Sequence, residues 1–279
     1  MEKRIKTSTF CIGILFVFIF YLLEAECPDL VTSLLSAVFP PGLASIISSV
    51  LMVLLVYIMI YLVSTKILKL SMKEIGIPAV RIDAKWLIAG FALIAVVLGI
   101  YFIMPGQYGL VDSKTSQLDR LLISIAVAIL AGINEELIFR GLFMHIMKYR
   151  FNIPAAIIIP SFLFASVHLF NGQLDPAGII MLLAGGTSVG CMFSMIALTK
   201  DSIWNSAIVH AIWDLFIGGI FIVANEPTGE EIIYKKIDIS NPLITGGGFG
   251  IDCSVICIIC FVIVFVIAYK EYKREQPGT

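Results

Sequence analysis

The chain has 279 residues, 59% of them hydrophobic and 14% charged, with a mean hydropathy of +1.00 and a net charge of −1. That hydropathy excludes a soluble globular domain, and the neutral charge balance gives no sign of a nucleic-acid partner, so none is expected. The composition is that of a multi-pass protein of a cell membrane, with membrane lipid as its surroundings.

In chain order, stretches long enough for a bilayer fall at about 7 to 23, 43 to 65, 86 to 104, 120 to 147, 153 to 170, 177 to 199, 203 to 223 and 252 to 269. The expected fold is therefore all-α, a polytopic bundle of about eight transmembrane helices. It forms a single membrane domain over 1–279, with residues 120–223 carrying its polar motifs. The first stretch, behind MEKRIK, resembles a signal peptide, but Glu24 and Glu26 crowd the cleavage position, which favours an uncleaved helix. The basic 66–85 linker is expected along the membrane interface. Pro160 interrupts the fifth span and frees a carbonyl that neighbours must satisfy. Gly185, Gly186 and Gly190 give the sixth span a small-residue face for close packing. The 224–251 loop ends in TGGGFG, which lacks the Lys and Ser/Thr of a phosphate loop and reads as a tight or flexible connection. Cys257 and Cys260 have CxxC spacing on an apolar helix with no second pair, a weak metal or redox signal.

Eight spans put both termini on one side. That side carries fourteen Lys and Arg, including Lys3, Arg4, Lys6, Lys66, Lys148, Arg150, Lys200 and Lys270, against Lys114, Arg120, Lys235 and Lys236 on the other. The positive-inside rule then makes both termini cytoplasmic.

Against this background six side chains stand out: Glu135, Glu136 and Arg140 on the fourth span, His168 on the fifth, and His210 with Asp214 on the seventh. A charged residue at a helix centre costs about 2.5 to 3.5 kcal/mol, so these groups must face one another or a wet cavity. At 100° per residue Glu136 and Arg140 share a face at i,i+4, whereas Glu135 points 140° away from Arg140. Glu136 then suits a structural ion pair, and Glu135 suits a general base on water in a dry cavity. His210 and Asp214 are also i,i+4 partners. Two His and one Glu are in addition a zinc ligand set with a fourth position for water, so a divalent metal stays open as cofactor. No HExxH is present. His145, near the end of the fourth span, is expected at the interface.

Glu135-Glu136-Leu-Ile-Phe-Arg140, Phe164-Ala-Ser-Val-His168 and His210-Ala-Ile-Trp-Asp214 together resemble the three motifs of the CPBP family of intramembrane proteases. That family includes the CAAX prenyl endopeptidases and the bacterial Abi proteins. The resemblance implies an endopeptidase acting on a peptide or protein substrate, with Glu135 and His168 activating water. It further implies that His210 and residue 214 stabilise the oxyanion, and it leaves a metal requirement open. Asp214 stands where prenyl-processing relatives usually have Asn, and an ionised Asp cannot donate to an oxyanion.

Two other readings compete: a non-enzymatic immunity or interaction protein that uses the cluster for packing, and a proton-coupled transporter. Helical rise alone also leaves a discrepancy. It sets Glu135 near mid-membrane, His168 near the outer end of its span and His210 about 10 Å from the cytoplasmic side, a gap on the order of 10 Å that tilt, the Pro160 kink or a shifted span must close.

Overall fold

The computed structural model describes residues 5–170, 173–223, 229 and 231–275. Lys3 and Arg4 of the predicted cytoplasmic N-terminus, and part of the 224–251 loop, lie outside the described residues. The elements are α1 (Thr7–Leu35), α2 (Pro41–Leu62), α3 (Ala84–Ile103), β1 (Gly106–Leu110), α4 (Gln117–Glu135), α5 (Met144–Arg150), α6 (Ile153–Val167), α7 (Pro176–Lys200), α8 (Trp204–Phe216), β2 (Phe221–Val223), β3 (Ile233–Ile237), α9 (Pro242–Thr245) and α10 (Val255–Glu275). A π-helical turn, Glu136–Phe143, joins α4 to α5 without a break, and another, Val63–Leu68, extends α2. Among the described residues seven helices are long and apolar enough to cross a membrane. Their outward faces carry Leu15, Leu54, Ile58, Ile88 and Val96, all exposed, as a lipid-facing surface requires.

Helix starts follow local chemistry. The side chains of Ser116, Asn152 and Asp175 accept hydrogen bonds from the backbone N–H groups of Asp119, Ala155 and Gly178, and so cap α4, α6 and α7. The span expected over 203–223 is a helix of only 13 residues, about 20 Å, because Ile217 turns extended and Gly218 takes a positive φ of 85°. The remaining rise is made by the turn that leads into β2. The first helix, conversely, runs twelve residues past its predicted end, through Pro28 to Leu35.

The two long loops expected on the outer side are not independent. Residues 106–110 and 233–237 pair antiparallel, β2 adds parallel to β3, and the strand order is β1-β3-β2. The linker after α2 does not lie along the interface: it turns inward, burying Leu70, Ile75 and Ile77. Tyr149 Oη donates to the Glu74 carbonyl and Trp204 Nε1 to that of Pro78, which pins the linker under the bundle. At this same end Arg150 contacts Thr7, Lys148 contacts Asp201, and Lys200 pairs with Glu275. The described ends of α1 and α10 therefore share a face.

Within the bundle α4 packs between α2 and α8, and α7 between α6 and α10. Small residues allow these close approaches. A Cβ at Gly190 would meet Ser161 Cβ at 2.7 Å, one at Gly186 would meet Ala165 Cβ at 2.8 Å, and one at Gly132 would meet Ala211 at 2.7 Å. Of the small-residue face read from the sequence, Gly186 and Gly190 thus form the α6–α7 seam, whereas Gly185 meets Cys253. The glycine run after α9 is a tight turn: Gly246 and Gly247 have φ of 77° and 70°, and a Cβ on Gly246 would overlap the Gly250 carbonyl.

Candidate active site

The Gly132–Ala211 contact brings α4 against α8, and one turn further on both glutamates reach His210. Glu136 and Arg140 are fully buried and paired, Oε1 to Nη1, at 2.9 Å. Arg140 also donates to the Gly190 carbonyl at 3.3 Å and lies 4.5 Å over the Phe164 ring, so its charge is compensated from several sides. Ser206 Oγ donates to Glu136 Oε2 at 2.6 Å, and His210 Nδ1 stands 3.2 Å from Glu136 Oε1. Glu136 is therefore more than one half of a clasp, because it holds the imidazole of His210 as well.

His210 stacks on Phe193 with ring centroids 4.4 Å apart. Its Nε2 looks into the site, 3.5 Å from Glu135 Oε2 and 3.3 Å from Asp214 Oδ2. The i,i+4 relation of His210 and Asp214 is present, but the partner at Nδ1 is Glu136, not Asp214. His168 Nδ1 donates to the Phe164 carbonyl at 2.7 Å. A carbonyl can only accept, so this bond fixes the proton on Nδ1 and leaves Nε2 as the acceptor in the neutral ring. That Nε2 faces Glu135 Oε1 at 3.9 Å. The Phe-x-x-x-His spacing thus supplies two things from one residue: a ring that covers Arg140 and a carbonyl that sets the His168 tautomer.

All five predicted site residues, Glu135, Glu136, His168, His210 and Asp214, meet in one place. The depth discrepancy is corrected by the register of α4 and by side-chain direction. His145 is not interfacial: it is buried, its Nδ1 reaches the Arg140 and Gly141 carbonyls, and its Nε2 lies 3.3 Å from Asp201 Oδ1. Residue 145 is therefore level with the α7–α8 turn. Ten residues back to Glu135 and nine forward to His210 are each about 14 to 15 Å, so the two sit at nearly equal depth. His168 stands higher, but α6 runs antiparallel to α4 and side chains lean toward the N-terminus of their own helix, so His168 and Glu135 lean toward each other. The π turn that starts at Glu136 is a departure of the kind that often marks functional helix segments.

The site opens into a cavity of about 470 Å³ bounded by Glu135, Phe164, His168, His210, Asp214 and Asp252, among others. Sequence reasoning passed over several participants. Ser206, His210 and Asp214 lie at i, i+4 and i+8, a spacing that points to Ser206. Tyr21 donates to the Val167 carbonyl, and Glu24, one turn on, lies within electrostatic reach of Glu135, His210 and Asp214. An acid inside a helix that runs on to Leu35 is the same signal as the others. Asp252 accepts from Trp213 Nε1 at 2.7 Å. As for a metal, among the described residues no three His, Cys, Asp or Glu side chains converge as a ligand group. The residues present do not assemble the two-His, one-Glu zinc set, and no step is derived through it. The six cysteines are free thiols, and Cys257 and Cys260 are buried.

Residues 117–216, from the start of α4 to the end of α8, match the family model described as type II CAAX prenyl endopeptidase Rce1-like. The similarity of this segment agrees with the resemblance to CPBP-family intramembrane proteases carried by the three motifs. The match contains all three motifs and supports intramembrane CAAX-type endopeptidase activity in general. It leaves α1 to α3, the three strands, α9 and α10 outside. No curated protein matches the chain.

Proposed function

We propose that the protein hydrolyses a peptide bond by attack of a water held between Glu135 and His168, inside the bundle and with both chain termini cytoplasmic. The observation that carries this reading is the pair of acceptors, Glu135 Oε1 and His168 Nε2, 3.9 Å apart at the cavity wall. That distance is too long for a direct hydrogen bond, and one water oxygen can lie about 2.8 Å from both. Glu135 takes the proton as the water attacks, and His168 orients the water through Nε2.

Opposite them, His210 as the imidazolium donates Nδ1–H to Glu136 and turns Nε2–H toward the carbonyl oxygen that becomes negative. Asp214, at 3.3 Å from that Nε2, acts on His210 and not on the oxyanion, since a carboxylate has no proton to give. Glu136 acts through His210, whose ring it holds in place. Water attack frees a new carboxylate and a new amine, and the proton on Glu135 passes to that amine.

The test is cleavage of a transmembrane peptide library by the reconstituted protein. His168→Ala should abolish turnover. Asp214→Asn, which keeps the shape and can itself donate, should retain at least about a tenth of it, since one oxyanion donor is typically worth about 100- to 1000-fold. A folded Asp214→Asn protein with no activity contradicts the role given to Asp214, and a fully active His168→Ala contradicts the water site. A wild-type protein that cleaves nothing while still protecting cells against a bacteriocin favours the immunity reading.

A further inference from the structure

Two cavities meet at one point of the wall, and the residues they share are Ile217, Gly218, Phe249 and Asp252. The first is the catalytic cavity. The second, about 700 Å³, lies beneath β2, β3 and α9 and is bounded also by Asp175. Everything that passes from the outer loops to Glu135 by this route passes Asp252. The position of Asp252 is built, not incidental. Trp213 Nε1 donates to its Oδ1 at 2.7 Å, and the α7 backbone at Gly185 comes so close to the next residue that a Cβ there would stand 2.6 Å from Cys253 Cα. Phe249, three residues earlier, meets the His168 ring with centroids 6.1 Å apart.

The charge around this route is predominantly negative, with the His210 imidazolium as its one cationic group among the described lining residues. Glu135, Asp214, Asp252 and Asp175 border the two cavities, and no Lys or Arg does so among the described residues. The two imidazoles are already engaged, His210 by Glu136, Glu135 and Asp214 and His168 by the Phe164 carbonyl. A free C-terminal carboxylate seated here would face like charges in a poorly solvated space, whereas an ammonium or guanidinium would find acceptors.

We propose that Asp252 is a specificity-determining residue, binding a Lys or Arg side chain that flanks the scissile bond of the peptide substrate. The proposal rests on the endopeptidase reading above and deepens it. It also turns the Asp found at 214 into part of a pattern: the site favours a cationic segment over an anionic chain end.

The experiment uses the full-length reconstituted protein and matched transmembrane peptides carrying Lys, norleucine or Glu beside the cleavage point. In the wild type, kcat/KM for the Lys peptide should exceed that for norleucine by about 10- to 100-fold, the range of one charge-assisted hydrogen bond. In Asp252→Asn, whose amide oxygen can still accept from Trp213, the ratio should fall to near one. Asp252→Lys should turn the preference toward the Glu peptide. An unchanged ratio in Asp252→Asn, with the melting profile of the wild type, overturns the proposal. Binding of the same three peptides to Glu135→Gln protein separates the two readings. Lys preference there, lost in the Asp252→Asn double variant, upholds charge selection even if no peptide is cut, and its absence overturns it.

Discussion

Arg140 is where a single change should do most damage. Its Nη1 lies 2.9 Å from Glu136 Oε1 with both side chains at 0% exposure, which at an effective dielectric of about 20 corresponds to an attraction of about 6 kcal/mol. Much of that offsets the desolvation of the two ions, so the quantity to measure is the cost of stranding one of them, about 3 to 5 kcal/mol. For Arg140→Leu the lower half of that range is expected, because Ser206 and His210 still donate to Glu136. The folded-to-unfolded ratio should then fall by about two to three powers of ten. Glu136→Gln combined with Arg140→Leu removes the stranded charge and should recover part of the loss. It should not recover turnover, since His210 loses its carboxylate partner. The assay is reversible denaturation in mixed micelles, run as a double-mutant cycle alongside peptide cleavage. An Arg140→Leu protein as stable as wild type, or a double variant no more stable than the worse single one, refutes the pairing argument.

Two further outcomes follow from the packing. Gly190→Val places side-chain atoms where Ser161 Cβ already stands 2.7 Å from the ideal Cβ position, and should destabilise the α6–α7 seam by about 1 to 3 kcal/mol, while the same change at Gly99, with open space around it, should cost far less. Equal effects at the two positions would count against the seam. Asp201 is held below the usual carboxylate range: burial raises it, but the hydrogen bond and charge of His145 and the charge of Lys148 outweigh that. A depressed carboxylate stabilises the fold above its unfolded value of about 4 and loses that contribution as pH falls through its folded value. Melting temperature should therefore drop more steeply below about pH 4 in the wild type than in Asp201→Asn, and identical acid limbs would contradict the contact.

Much of the site was legible because the membrane makes polar residues conspicuous. Glu135, Glu136, Arg140, His168, His210 and Asp214 were visible as exceptions in apolar helices, and helical spacing separated Glu136 from Glu135 correctly. Spacing could not reveal that Glu136 also carries His210, because that contact joins α4 to α8 across 74 positions of sequence. Depth was misread for a related reason. Hydropathy ends the fourth span near residue 147, but His145 is buried against Asp201, so the helix sits in a register that only the neighbouring turn defines. The strands were invisible as strands since β1 and β3 are short and polar, and β1 exists only by pairing with β3 across more than a hundred residues. The short α8 was legible in hindsight from Gly218 and Gly219, which end it.

The account turns on Glu135 as the base that activates water. The most direct measurement is the single-turnover cleavage rate of Glu135→Gln against wild type, on a library peptide that the wild type cuts, with the melting temperature of each protein measured in the same micelles. The side chain is nine-tenths buried and Gln matches its shape, so the variant should fold like the wild type and show no cleavage above background. Cleavage at the wild-type rate by a correctly folded Glu135→Gln protein would contradict the mechanism.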